Sequence, residues 1–283
     1  MGERPLPPRV LIKRKKEAMG NDMQTQNRVP MAFATYVAWA LVTIFAGKLL
    51  AGGEPTTLAD SVSHGISWNI AAALLLLLIV TAVMRWRDLG FVAPTPLGSL
   101  KLLWFPALYL VIFSVMAVAI GLPASSVMIY VFLNTLIVGF SEEIMFRGVM
   151  FRALLGKLSI WPAMILTTVL FGGVHVLNVI MTGQLGEAMV QSVAAAMSGF
   201  LFMALLIRTG SLWVPIIYHA LWDFCTFMLS VGAESGGGEE ALAPGLRILI
   251  PVLLVTPNFL YALFLLRKVR NGSVPTGEAR QSA

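Results

Sequence analysis

The chain has 283 residues, 58% of them hydrophobic and 12% charged, with a net charge of +6. Its mean hydropathy is +0.82. Soluble domains carry about a quarter charged residues, so a soluble globular protein is excluded and an all-α integral membrane protein is predicted. The single cysteine, Cys225, excludes an intrachain disulfide and any multi-cysteine metal or iron–sulfur site. No aromatic-basic platform accompanies the positive charge, which excludes nucleic acid as a partner; the basic residues instead flank apolar runs.

Residues 1–30, which include "RVLIKRKK", read as a basic, disordered cytoplasmic segment with little to bury. Its Lys13 to Lys16 cluster suits anionic lipid, at about 1 kcal/mol per basic residue. An eight-helix membrane domain is predicted over 31–267 and a cytoplasmic tail over 268–283. The first span, 31–51, lacks a small-residue cleavage site and reads as retained rather than as a signal peptide. The short acidic loop "EPTTLADSVSHG" follows, and its His64 is assigned no role. Spans two and three are expected at 66–84 and 101–121.

Span four, 126–150, carries "SEEIMFR". Ionisable groups cost several kcal/mol at membrane depth and are functional hypotheses by default. Glu143 and Arg147 are i and i+4 and can pair on one helical face. Glu142 is rotated by about 100° from Glu143, so the same arginine cannot readily neutralise it and one carboxylate stays available for chemistry.

Span five, 158–181, contains "FGGVH" from Phe171 to His175. Counted from the turn near Gly156 and Lys157 at 1.5 Å per residue, His175 and Glu142 stand at about 20 to 27 Å above it. They share a level if span four stays helical through "GVMFRALL". Span six, 187–207, ends at Arg208, an interfacial anchor by its position. Span seven, 211–231, holds "HALWD"; His219 and Asp223 share a face at i and i+4, while Cys225 faces away from them. Span eight is expected at 246–266.

Each stretch is near the ~20 residues that cross a hydrocarbon core of ~30 Å. On this count one side of the membrane holds 18 of the 20 basic residues. The positive-inside rule then puts both termini in the cytoplasm. Short loops fit a bacterial inner (plasma) membrane.

Amide hydrolysis needs a base for water, an acid for the leaving amine and donors for the oxyanion. Glu142 with His175 can supply the first two, and His219 with Asp223 the third. No GxSxG elbow, Gly-rich phosphate loop or HExxH pair is present, which argues against a serine hydrolase, a nucleotide-driven pump and an ordinary zinc protease.

The three motifs "EEIMFR", "FGGVH" and "HALWD" resemble, in order, the EExxxR, FxxxH and HxxxN/D motifs of the CPBP family, the CAAX proteases and bacteriocin-processing enzymes also called Abi. The resemblance covers roughly 130–230, within a family-like core at 126–231. It implies an eight-helix intramembrane glutamate protease whose cavity opens to the cytoplasm and which needs no cofactor. Glu142 and His175 would activate water, His219 and Asp223 would stabilise the oxyanion, and Glu143, Arg147 and Phe171 would support them. The Ras-converting CAAX endoproteases have asparagine where this chain has Asp223, and a carboxylate donates a hydrogen bond only when protonated. Asp223 would therefore either hold a proton or act through His219.

The expected substrate is a membrane-associated peptide or protein, lipidated or not, reached through or beside the bilayer. Two other readings keep the same residues. One is a non-catalytic immunity or peptide-binding protein; the other is a metal-dependent hydrolase with zinc held by Glu142, His175, His219 and Asp223.

Overall fold

The computed structural model describes residues 28–50, 52, 56–236 and 244–270, and among them every regular element is helical. The basic amino-terminal segment, with its Lys13 to Lys16 cluster, and the tail beyond 270 lie outside the described residues. In chain order the helices are α1 (Arg28–Leu50), α2 (Leu58–Ser63), α3 (Trp68–Val83), α4 (Leu97–Ile120), α5 (Ser125–Leu155), α6 (Ile160–Thr182), α7 (Leu185–Thr209), α8 (Trp213–Gly236) and α9 (Pro244–Leu266). Seven of these contain stretches long and apolar enough to cross a membrane. The chain is an integral membrane protein.

The eight expected spans correspond to eight of the nine helices, with two differences. α3 has 16 residues and is the short one of the set, since at 1.5 Å per residue it rises only about 24 Å. The acidic loop before it holds a helix of its own, α2, capped where Thr57 Oγ1 accepts from the Asp60 amide at 3.0 Å. Asn134, buried in α5, secures the connection into α3. Its amide donates to the carbonyls of Val62 (2.8 Å) and Gly65 (2.7 Å) and accepts from the Ser67 amide (2.9 Å).

Lipid tails are as apolar as leucine, so helices in a bilayer associate by close packing at small residues rather than by a hydrophobic drive. Two glycines bring the functional helices together in this way. A Cβ on Gly139 of α5 would stand 3.0 Å from the Ile216 carbonyl and 3.1 Å from Ala220 Cβ, so α8 lies directly against α5. A Cβ on Gly172 of α6 would stand 2.7 Å from Ala196 of α7. α7 also packs along α9, and α4 packs along α8.

At one end of the bundle, Arg28 of α1 makes a two-pronged contact with Asp88, both bonds at 2.8 Å. The loop after α3 continues past that pair to cover the α7–α8 turn, where Leu212 N donates to the Gly90 carbonyl (2.8 Å) and Thr95 N to the Thr209 carbonyl (2.9 Å). Arg152 of α5 reaches the same place, with Nη2 at 3.3 Å from where a Gly90 Cβ would be. Arg208 is exposed at the end of α7, in keeping with an anchor.

Candidate active site

α5 is continuous past Arg147, but not as a uniform α-helix. It is α-helical over Ser125–Glu143, π-helical over Ile144–Met150, then α-helical again over Phe151–Leu155. Wider π turns inside α-helices are rare and often found at functional sites. This one begins directly after the two glutamates, and every residue in it is buried. α1 braces that stretch: Trp39 Nε1 donates to Ser141 Oγ at 2.8 Å, and the Trp39 ring meets Phe146 edge-on at 5.5 Å.

Arg147 Nη1 donates to Glu143 Oε1 at 3.0 Å with both side chains fully buried, as the i, i+4 spacing anticipates. The guanidinium has three further neighbours. Nη2 donates to the Gly199 carbonyl of α7 at 3.0 Å, and the charge lies 4.3 Å from the Phe171 ring and 5.1 Å from the Phe202 ring. Gly199 lets the helices come this close, since a Cβ would stand 3.0 Å from Phe171 and 3.2 Å from Arg147 Nη2, nearer than ordinary van der Waals contact.

His219 is enclosed by three carboxylates. Its Nδ1 is 3.0 Å from Glu143 Oε1, and its Nε2 is 3.4 Å from Asp223 Oδ2 and 3.8 Å from Glu142 Oε2. Glu143 is therefore more than a counter-ion for Arg147. One oxygen serves both Arg147 and His219, and since a carboxylate accepts, Nδ1 is the donating nitrogen. That leaves Nε2 turned toward Glu142 and Asp223. Asp223 Oδ2 stands directly beside His219 Nε2.

The contact between Glu142 and His219 is too long for a hydrogen bond. Glu142 Oε2 is buried and has no hydrogen-bond partner, although the electrostatic neighbours of this carboxylate are His175, His219, Asp223 and Glu143. The paired and the unpaired glutamate are thus separated, by their positions on the helix, into a shared anchor and an uncommitted acid.

His175 lies where α6 changes from α-helix to a 3₁₀ turn over His175–Asn178, so the expected single span is segmented at this residue. Its Nδ1 is 2.7 Å from the Phe171 carbonyl. A carbonyl only accepts, so Nδ1 carries the hydrogen and Nε2 is the free nitrogen. Phe171 thus serves three groups, meeting His175 edge-on at 5.1 Å and His219 at 6.0 Å besides its contact with Arg147.

Sequence reasoning brings all four proposed catalytic residues and their three supports into one neighbourhood. It missed the contributions of α7. Phe202 stacks on His219 at 4.5 Å with the ring planes 22° apart, and Gly199 supplies its carbonyl, yet no motif or spacing marks either residue. Cys225 points elsewhere, with Sγ 3.6 Å from Ser114 Oγ on α4. His64 is exposed, beside Asp60 and Ser63. Among the described residues, no group of three or more His, Cys, Asp and Glu is arranged to hold a metal ion. A polar cavity of about 430 Å³, lined by Asp60, Asn178, Glu187 and Gln191 among others, lies near the α6–α7 turn, and none of the four proposed catalytic residues lines it.

Residues 124–225 match the family model described as type II CAAX prenyl endopeptidase, Rce1-like. This segment is similar to the CAAX-protease family. The matched segment runs from the start of α5 to Cys225 of α8, so it contains all three motifs and the whole charge cluster. No curated protein and no solved structure matches the chain at a significant level.

Proposed function

We propose that this chain is an intramembrane endopeptidase that hydrolyses a peptide bond in a membrane-associated substrate, lipidated or not, with water activated by Glu142 and His175. The observation that carries the reading is Glu142 Oε2, a buried oxygen with no hydrogen bond, 3.8 Å from His219 Nε2 and with His175 as its other histidine neighbour, both rings having their Nδ1 hydrogen bonds already arranged. The CAAX-protease match over 124–225 supports a protease of this type.

Glu142 takes the proton from water as general base, and His175, whose free Nε2 can accept that proton from Glu142, hands it on to the leaving amine, so that Glu142 ends ionised again. His219, whose Nδ1–H is held by Glu143, is taken as imidazolium with its second proton on Nε2 beside Asp223, and donates that N–H to the developing oxyanion. Asp223 acts through His219 in this scheme and is a positioning residue. Water exclusion by the surrounding aromatic rings strengthens each of these interactions.

Substrate is proposed to enter from the cytoplasmic side. His219 is little more than a turn and a half past Trp213, about 9 Å along α8 at 1.5 Å per residue, and the α7–α8 turn lies at the end that carries Arg28, Arg152 and Arg208. A basic end is a cytoplasmic end by the positive-inside rule.

The test compares peptide termini in membranes of cells expressing wild type and Glu142→Gln at matched protein levels. New termini found only with wild type are expected, and they also identify the substrate. Identical termini from two folded, abundant proteins would overturn the reading in favour of a binding or immunity role.

A further inference from the structure

The rings and charges around His219 come from four helices, α5, α6, α7 and its own α8, and three of these carry a recognisable motif. α7 is the fourth. It supplies Phe202, 2% exposed, whose ring lies nearly parallel to His219 at 4.5 Å. The same ring is 5.1 Å from the Arg147 guanidinium and meets Phe171 edge-on at 6.1 Å. One turn earlier on the same helix, the Gly199 carbonyl takes the second hydrogen bond of Arg147.

A histidine ring is not held at one angle by its own torsion, because the sp³–sp² rotation about χ2 is broad. Here the direction of Nε2 decides whether it lies between Glu142 and Asp223 or swings away from them. The Glu143 bond fixes one point of the ring; a second constraint is needed to fix the plane. A flat face packed at 4.5 Å supplies it, and Phe171, edge-on at 6.0 Å, closes off another direction.

We infer that Phe202 is a positioning residue of this site, which sets the ring plane of His219 so that Nε2 stays between Glu142 and Asp223. The inference rests on the proposed peptidase reading for its functional consequence, but not for its structural one. Phe202 touches no reacting atom. Its contribution comes through His219, and misplacing a catalytic group by about 1 Å costs on the order of 100-fold in rate.

The chain has only three histidines, so the full-length protein, labelled with ¹⁵N in the histidine rings and reconstituted in lipid nanodiscs, gives a spectrum that can be assigned with His64→Gln and His175→Gln. Phe202→Leu and Phe202→Met keep an apolar side chain and remove the flat face; Phe202→Tyr restores it. Ring signals of His219 should shift or broaden in the Leu and Met proteins, return toward wild type in the Tyr protein, and leave His64 unchanged in all three. On the peptide identified by the comparison of termini, kcat should fall by about 10- to 100-fold with KM unchanged.

Unchanged His219 signals in a folded Leu or Met variant would overturn the inference, as would failure of both to fold, which would make Phe202 a packing residue only. If wild type and Glu142→Gln have given identical peptide termini, the peptidase reading fails by itself while the NMR comparison still decides the role of Phe202.

Discussion

Among the described residues, two carboxylate–guanidinium pairs have opposite surroundings. Arg28 and Asp88 have the better geometry, two bonds of 2.8 Å, and their side chains are 18% and 42% exposed. Glu143 and Arg147 share a single 3.0 Å bond with both side chains at 0%. Water can take the place of either partner in the first pair. Nothing replaces Glu143 for Arg147, whose remaining contacts are one carbonyl and two aromatic rings. Bond geometry is therefore a poor guide to consequence, and burial a good one.

Glu142→Gln tests the far extreme of that contrast, since it removes a buried charge that has no hydrogen-bonded partner at Oε2. Cleavage should fall by at least about 100-fold, the usual range for losing a general base, while abundance and thermal unfolding match wild type. Arg147→Ala should do the reverse. It strands Glu143 in the bilayer interior with only His219 beside it, at a cost of about 3–5 kcal/mol, read as lower abundance and a lower unfolding temperature in detergent. Equal loss of protein in both variants would collapse the distinction between the two glutamates.

Gly199→Ala adds a methyl 3.0 Å from Phe171 and 3.2 Å from Arg147 Nη2, and crowding of this kind costs about 1–3 kcal/mol. Thermal unfolding should show it, with activity lost in step. Asp223→Asn keeps a polar partner for His219 and should retain cleavage to within about tenfold, the scale of one weakened hydrogen bond; complete inactivation in steady-state assays would mean that the carboxylate itself takes part in the chemistry. At the other end of the scale, Arg28→Ala should cost less than about 1 kcal/mol, measurable as a small shift in unfolding temperature with no change in activity.

Much of the site was legible because charges inside apolar spans are expensive and so stand out. The i, i+4 spacing put Glu143 with Arg147 and His219 with Asp223, and the rise per residue brought His175 to the level of Glu142. The shared oxygen of Glu143 was not legible. It depends on how α8 lies against α5, which is decided by the contact of Gly139 with Ile216 and Ala220. The π-helical stretch and the break at His175 were also hidden, because an apolar run has the same composition whichever helical form it takes.

By itself the sequence determined that the chain is a membrane protein of apolar helices, and which few polar residues are costly enough to need a purpose. Hydropathy and charge act locally, so they can be read residue by residue. Only the tertiary structure decided that His219 stands among three carboxylates and that a helix without a motif, α7, supplies both the carbonyl for Arg147 and the aromatic face for His219. Such contacts join residues far apart in the chain through backbone approach at glycine, and an apolar phenylalanine leaves no mark among many others in a sequence of this composition.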